Sequence, residues 1–306
     1  MSRPAAVLLV PLLLAAAAPQ ARTPAKPRTS AEILEASTPA DWRTLDPAHT
    51  LYVELASGRV IVELAPGFAP NHVANIESLA REGYYDGLSI VRSQDNYVVQ
   101  WGDPEEDAAK QKPVKTGKAT LPAEFFRTLA ADLPFTRSPD GDVYAPQVGW
   151  SSGFPSARDP AKNKAWLCHC YAMVGAGRGD TADSGGGKEL YVVIGHAPRH
   201  LDKNVTLVGR VVQGMEKLST LPRGTGPLGF YEKPGQYVAL KSVRVAADVP
   251  AAERTALQLL RTDTATWKEY VASRRTRRED WFLDKAGHVE LCNVPLPVRT
   301  PPPVKP

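Results

Sequence analysis

The stretch LSIVRSQDNYVVQWGD, residues 88–103, decides the fold prediction. Two short runs of strand-forming residues, Leu88–Arg92 and Tyr97–Trp101, flank a segment whose polar side chains are typical of a tight turn, Ser93-Gln94-Asp95-Asn96. The stretch therefore predicts two adjacent strands. It also fixes the spacing of three residues that matter below: Arg92, Tyr97 and Gln100.

Further short strands are predicted on both sides of this stretch. Upstream, apolar and polar residues alternate over 51–55 and 60–64, and a helix with Pro70 in its first turn ends near Gly83. Downstream, one short helix over 214–221 interrupts four strand-like runs: Trp166–Val174, Leu190–Ile194, Val205–Val212 and Tyr237–Val245. Many short strands with few helices predict a mainly β sandwich or barrel.

The N-terminus has the features of an export signal. Arg3 precedes an apolar run over 5–18 that ends in small residues, and the run contains Pro11. It is shorter than the roughly 20 residues that span a bilayer. We therefore expect residues 1–21 to be a cleaved signal peptide, and the mature protein to be periplasmic or secreted without stable membrane insertion. Export argues against nucleic acid as a partner, although Arg274–Arg278 form a basic cluster.

Composition divides the rest of the chain of 306 residues. Residues 22–47 are predicted to be a flexible linker, residues 104–165 a long irregular insertion, and residues 248–306 a helical extension with a proline-rich tail. Within the extension, we expect helices over 251–261 and 264–278, the second with an apolar face formed by Trp267, Tyr270 and Val271.

The cysteines leave one pairing open. Cys168 and Cys170 are too close in sequence to pair without strain, so we expect a disulfide from Cys292 to either one. Cys168-His169-Cys170 lacks the second ligand pair that structural zinc sites usually have, and we predict no metal.

Taken in order, these segments resemble the cyclophilin-type peptidyl-prolyl isomerases. The family signature has an arginine, an aromatic residue and a glutamine at the spacing of Arg92, Tyr97 and Gln100. Later segments of the chain are similar to the family as well: Ala172-Met173, Leu190-Tyr191-Val192, His200-Leu201-Asp202 and Val208-Gly209-Arg210-Val211. The resemblance covers about residues 48–246.

The resemblance implies a fold and a site. The isomerase domain, residues 48–247, would be a closed antiparallel barrel of about eight strands with a helix over each open end. Arg92 would be catalytic, and the substrate would contact Tyr97, Val98, Gln100, Glu189, Tyr191, Leu201 and Val205. No cofactor is needed, the substrates would be proline-containing unfolded or extended polypeptides, and the protein would be a monomer.

The chemistry agrees with this resemblance. Rotation about a peptide bond is opposed by a barrier of about 18–20 kcal/mol, because the nitrogen lone pair is delocalised into the carbonyl. A permanently charged, planar guanidinium in a partly dry pocket can hold that lone pair on nitrogen and favour the twisted state.

Three other functions compete with this hypothesis. Several family positions are substituted, for example Val91 for the usual histidine and Val205 for a pocket histidine, which suggests a proline-peptide binding module with little catalytic activity. Asp183-Ser184-Gly185-Gly186 resembles the sequence around a protease nucleophile, but no histidine lies in the required setting. A lipocalin-like carrier would lack the helix that begins at Pro70.

Overall fold

The structure is a computed structural model that describes residues 27–302 except 106, 108 and 132. The predicted signal peptide lies outside the described residues. The strands are β1 Trp42–Thr44, β2 Thr50–Leu55, β3 Gly58–Leu64, β4 Ser89–Ser93, β5 Val98–Gly102, β6 Arg127–Thr128, β7 Thr136–Arg137, β8 Gln147–Ser151, β9 Phe154–Asp159, β10 Lys164–Leu167, β11 Met173–Ala176, β12 Leu190–Val193, β13 Leu207–Gln213, β14 Val238–Ala239, β15 Ser242–Val245, β16 Gln258–Leu260 and β17 Val298–Arg299. The α-helices are α1 Ser30–Glu35, α2 Pro70–Arg81, α3 Met215–Ser219 and α4 Ala265–Arg275. None of these helices is long and apolar enough to cross a membrane.

An antiparallel sheet of nine strands in the described chain carries the main core, in the order β14-β4-β5-β12-β11-β13-β3-β2-β15. The hairpin of β2 and β3 is as predicted, with Gly58 at φ +117° in its turn, a conformation that favours glycine. Alternate residues such as Val53 and Val60 lie in the main core. Tyr52 and Ile61, on the other face, pack in a smaller cluster with Leu257 and Leu259.

Two helices pack against the main core. α2 buries Val73, Ile76 and Leu79, and α3 buries Leu218. Both were predicted, and Gly83 follows α2 with φ +69°, as a left-handed residue beyond a helix end.

The predicted closed barrel of about eight strands is not what the sheet forms. The segment predicted as one strand, 237–245, is divided into β14, which pairs with β4, and β15, which pairs with β2. Between them, the Leu240 amide donates to the carbonyl of Leu88, and the Lys241 amide donates to the carbonyl of Glu54. One continuous segment, 238–245, therefore supplies the strands at both edges of a curled sheet, β14 and β15. These two strands do not pair with each other, so hydrogen bonds do not close the sheet into a barrel.

The predicted insertion contains a second sheet. Its strands lie in the order β6-β10-β9-β8-β7. Trp150 and Trp166 are buried in a second core together with Trp267 of α4, and the rings of Trp150 and Trp267 meet edge to face with centroids 5.0 Å apart. The expected strand over 166–174 is likewise two strands, β10 and β11, because residues 168–172 leave the ladder.

The two ends of the described chain also fold together. Residues 27–47 do not form a flexible linker: α1 buries Ile33, and β1 pairs with β16 of the extension. The helix expected over 251–261 is instead a short 3-10 turn followed by β16, whose Leu259 and Leu260 are fully buried. The second expected helix is present as α4, and its residues Trp267, Tyr270 and Val271 are buried as predicted.

A disulfide joins this extension to the segment before β11. It links Cys170 to Cys292, one of the two pairings left open, and Cys168 is a buried free thiol. The ring nitrogens of His169 lie within hydrogen-bond distance of Asp202 and Tyr191. The side chains of His169 and Cys170 therefore have different partners.

Candidate active site

The paired strands β4 and β5 present Arg92. Arg92 lies opposite Gln100 in the register, and a bulge between Ile90 and Arg92 shifts the pairing there. The connection is the predicted tight turn, with the Gln94 amide donating to Val98 and Asn96 in a left-handed conformation at φ 50°.

The guanidinium of Arg92 is held by three acceptors. Its Nε donates to the carbonyl of Leu228 at 2.7 Å, Nη1 donates to Oε1 of Gln100 at 3.1 Å, and Nη2 donates to Oε1 of Gln94. Burial lowers the pKa of Arg92 from its ordinary value. It still leaves the group charged, because arginine does not deprotonate near neutral pH. The side chain is thus a fixed, half-buried cation.

Gln100 connects Arg92 to Glu189. Its Nε2 donates to Oε2 of Glu189 at 2.7 Å, while its Oε1 accepts from Arg92. The orientation of the amide is therefore determined by a cation on one side and a carboxylate on the other.

A groove of about 450 Å³ runs beside Arg92. Every residue predicted for the site lines it: Arg92, Tyr97, Val98, Gln100, Glu189, Tyr191, Leu201 and Val205. Val98 and Tyr191 are buried in one small cluster against which Tyr97 and Val205 pack, so part of the groove is apolar. Tyr97 precedes β5 and reaches the groove from there, and its ring centroid lies 5.6 Å from Cζ of Arg92.

Four groove residues were not predicted: Gly177, Arg178, Leu228 and Phe230. Leu228 supplies the carbonyl that holds Nε of Arg92, and the Phe230 ring lies 5.3 Å from Cζ of Arg92. Both belong to a segment rich in proline and glycine, 222–236, which has no periodicity. The sequence therefore gave no signal that this segment would fold over the arginine.

The protease alternative lacks its geometry. Ser184 hydroxyl donates to the carbonyl of Thr181 and accepts from the amide of Gly179 within its own loop. His169 is fully buried and bonds to Asp202 and Tyr191 instead. Nucleophile and base do not meet, as a triad requires.

Fold and groove together define a class: a curled antiparallel β-sheet protein that holds an arginine at the edge of a partly apolar groove.

The comparison with known proteins agrees with this class. The family model for cyclophilin type peptidyl-prolyl cis-trans isomerase/CLD matches residues 50–245. A probable peptidyl-prolyl cis-trans isomerase of Brucella suis is 27% identical over 187 residues, which are 59% of this chain and 74% of that protein. The mouse peptidyl-prolyl cis-trans isomerase-like 1 is 32% identical over 86 residues, 28% of this chain and 48% of that protein.

The fold has a solved counterpart as well. A crystal structure of a cyclophilin from Hirschia baltica has a TM-score of 0.69 at 24% identity, covering 89% of this chain and 97% of that chain. The family model matches residues 50–245, which are less than two thirds of the chain, whereas the structural match covers 89%. The likeness in fold therefore extends beyond the residues that the family model matches.

Because the family model covers more than half of its length, the chain belongs to the cyclophilin-type peptidyl-prolyl cis-trans isomerases. Its activity is that of an isomerase of peptidyl-prolyl bonds.

Proposed function

We propose that the protein accelerates X-Pro bond rotation in unfolded or extended segments of exported proteins, with Arg92 stabilising the twisted amide. The observation that carries this proposal is the fixed guanidinium of Arg92 at the edge of the apolar groove. No cofactor takes part, and the protein acts as a monomer.

The hydrogen bonds of Arg92 leave part of it available to a substrate. A guanidinium has five N–H donors, and three of them are used by Leu228, Gln100 and Gln94 within the described chain. The remaining donors can approach the nitrogen of a prolyl amide seated in the groove. There they interact with its lone pair, which is localised on nitrogen only in the twisted state. They therefore stabilise the twisted state more than the bound planar substrate, and this lowers the barrier to rotation.

The groove supports this geometry. The apolar side chains of Val98, Leu201 and Val205, with the ring of Tyr191, form a surface suited to a proline ring. Gln100 has a second amide hydrogen beyond the one bonded to Glu189, and we assign to it the substrate backbone. Excluding water beside Arg92 strengthens its electrostatic effect on the amide.

The test is replacement of the arginine. We expect Arg92→Ala to reduce kcat/KM for cis-to-trans conversion of an X-Pro peptide about 100-fold, the effect of losing one fixed donor to a transition state. Arg261→Ala is the matched control, because Arg261 pairs with Asp263 and does not line the groove. Equal activity of Arg92→Ala and wild type would remove the assignment. A wild type that binds the peptide without accelerating rotation would favour the binding-module alternative.

Export is part of the same proposal. It is supported by the pattern of residues 1–21 and by the disulfide between Cys170 and Cys292, a bond that persists in oxidising compartments. The periplasm or the exterior would supply newly exported chains as substrates.

A further inference from the structure

We propose that His169 is a positioning residue of the groove, which holds the hydroxyl of Tyr191 away from the proline-binding surface and so keeps that surface apolar. This inference rests on the proposed function, since it concerns the same groove.

The contact between the two rings is direct. Nε2 of His169 lies 2.8 Å from the hydroxyl oxygen of Tyr191, and the rings are within 10° of parallel. His169 has no exposed surface, whereas Tyr191 lines the groove. The Tyr191 ring also lies against Gly175, where a Cβ atom would come within 2.3 Å of the hydroxyl oxygen. The tyrosine thus occupies a space that only a glycine leaves open.

A chain of buried charges fixes the orientation of His169. Oδ1 of Asp202 lies 2.9 Å from both the amide nitrogen and Nδ1 of His169. Oδ2 of Asp202 accepts from Nε of Arg199 at 2.7 Å, and Arg199 donates through Nη1 to Asp142 at 2.7 Å. Each member therefore has a partner on both sides, and the imidazole cannot rotate without breaking several bonds.

The protonation states determine the direction of each bond. Burial would raise the pKa of Asp202, but the hydrogen bond from His169 and the charge of Arg199 bring that pKa below its ordinary value. Burial lowers the pKa of His169 from its ordinary value of 6.5, which favours the neutral imidazole at neutral pH. An ionised Asp202 only accepts, so Nδ1 carries the imidazole proton and Nε2 has a lone pair. The Tyr191 hydroxyl donates to that lone pair, away from the groove.

Loss of the acceptor has a defined consequence. A tyrosine hydroxyl left without a partner in a buried site must find one, and the open side of Tyr191 is the groove. Its hydroxyl would then lie where a proline ring binds, so peptide affinity would fall. A phenylalanine at this position has no hydroxyl to turn.

A double-mutant cycle tests this, with the dissociation constant of an Ala-Pro-containing tetrapeptide as the readout. His169→Asn keeps a donor at the position of Nδ1 but cannot reach Tyr191, and His169→Gln places an amide near the position of Nε2. We expect His169→Asn to raise the dissociation constant about tenfold in the wild-type background and to leave it unchanged when combined with Tyr191→Phe. His169→Gln alone should stay within about threefold of wild type, and the dissociation constant of Tyr191→Phe alone is the reference for the second arm of the cycle. An equal loss from His169→Asn in both backgrounds would overturn the proposal.

A second measurement is independent of whether His169→Asn folds. In ¹⁵N-labelled wild-type protein at neutral pH, the His169 ring should show the neutral form with its proton on Nδ1. A proton on Nε2 would contradict the inference.

If wild type proves inactive as an isomerase while the cycle behaves as expected, only the proposed function fails, because peptide binding is measured separately from turnover.

Discussion

At the scale of single residues, Gln100 determines how rigidly Arg92 is held. Its amide lies between the guanidinium and Glu189, and only 8% of the residue is exposed. Arg92 has no carboxylate as an ion-pair partner among the described residues, so neutral oxygens alone orient it. Its full charge therefore stays available to the substrate.

We expect Gln100→Leu to lower kcat/KM about 30-fold, because Arg92 loses one acceptor and the substrate backbone loses one donor, and each net hydrogen bond contributes about 1 kcal/mol. Glu189→Gln is the matched variant: it keeps an acceptor for the Gln100 amide and should remain within about threefold of wild type. Steady-state assays with one X-Pro peptide check both. Wild-type activity in Gln100→Leu would show that Arg92 does not need this contact.

At the scale of elements, the end of α2 is tied to the loop that leads into the insertion. Glu82 follows α2, and its carboxylate accepts from the amides of Lys115, Thr116 and Gly117 and from the Thr116 hydroxyl. A negative charge at a helix C-terminus is unfavourable by itself. Here the loop donors outweigh that effect: burial would raise the pKa of Glu82, but these hydrogen bonds lower it from 4.5 to about 2.

This shift predicts a pH dependence of stability. Because the folded-state pKa of Glu82 is depressed, its contribution is complete above the unfolded-state value of 4.5 and is lost as pH falls towards about 2. We expect Glu82→Gln to reduce the free energy of unfolding by about 1 kcal/mol at neutral pH, with the difference vanishing at the acid end. Urea denaturation across this pH range measures it, with the exposed Glu35→Gln as control. A difference that is independent of pH would contradict the explanation.

Elements with a regular apolar period were predictable from the sequence. The alternation in β2 and β3, and the spacing of Val73, Ile76 and Leu79, fixed the hairpin and α2. The helix expected over 251–261 failed because Leu257, Leu259 and Leu260 suit a strand as well as a helix, and only pairing with β1 decides between them. The family-like spacing of Arg92, Tyr97 and Gln100 pointed to three residues that line the groove. Leu228 and Phe230 lie beside Arg92 because the segment 222–236 folds over it, and no local sequence pattern indicates that fold.

At the scale of the whole molecule, the two ends of the described chain complete the fold. β1 and α1 from one end pack with β16, β17 and α4 from the other, and the sheet of the insertion shares a core with α4. The outer face of the hairpin is covered by Leu257 and Leu259 of the extension. This explains why β2 and β3, in which apolar and polar residues alternate, are buried on both faces.

We expect the full chain, expressed in a Gram-negative host, to be recovered from the periplasm with an N-terminus within residues 18–22 and with the Cys170–Cys292 bond. N-terminal sequencing and mass spectrometry of non-reduced peptides check these points. As control, Cys292→Ser should be less stable by about 2–4 kcal/mol, because the bond restricts the unfolded chain. An intact N-terminus, or three free thiols in the periplasmic protein, would contradict the expectation.

The separation of the two bonded cysteines has a consequence for biosynthesis. A polypeptide leaves the ribosome from its N-terminus, so Cys170 emerges 122 residues before Cys292. By that time every strand of the nine-stranded sheet has been translated, since β15 ends at Val245. The covalent bond can therefore form only after all nine of these strands have been made, and it fastens the extension to a segment far earlier in the chain. Cys168 is completely buried in the folded protein, so it does not compete there with Cys170 for the bond to Cys292.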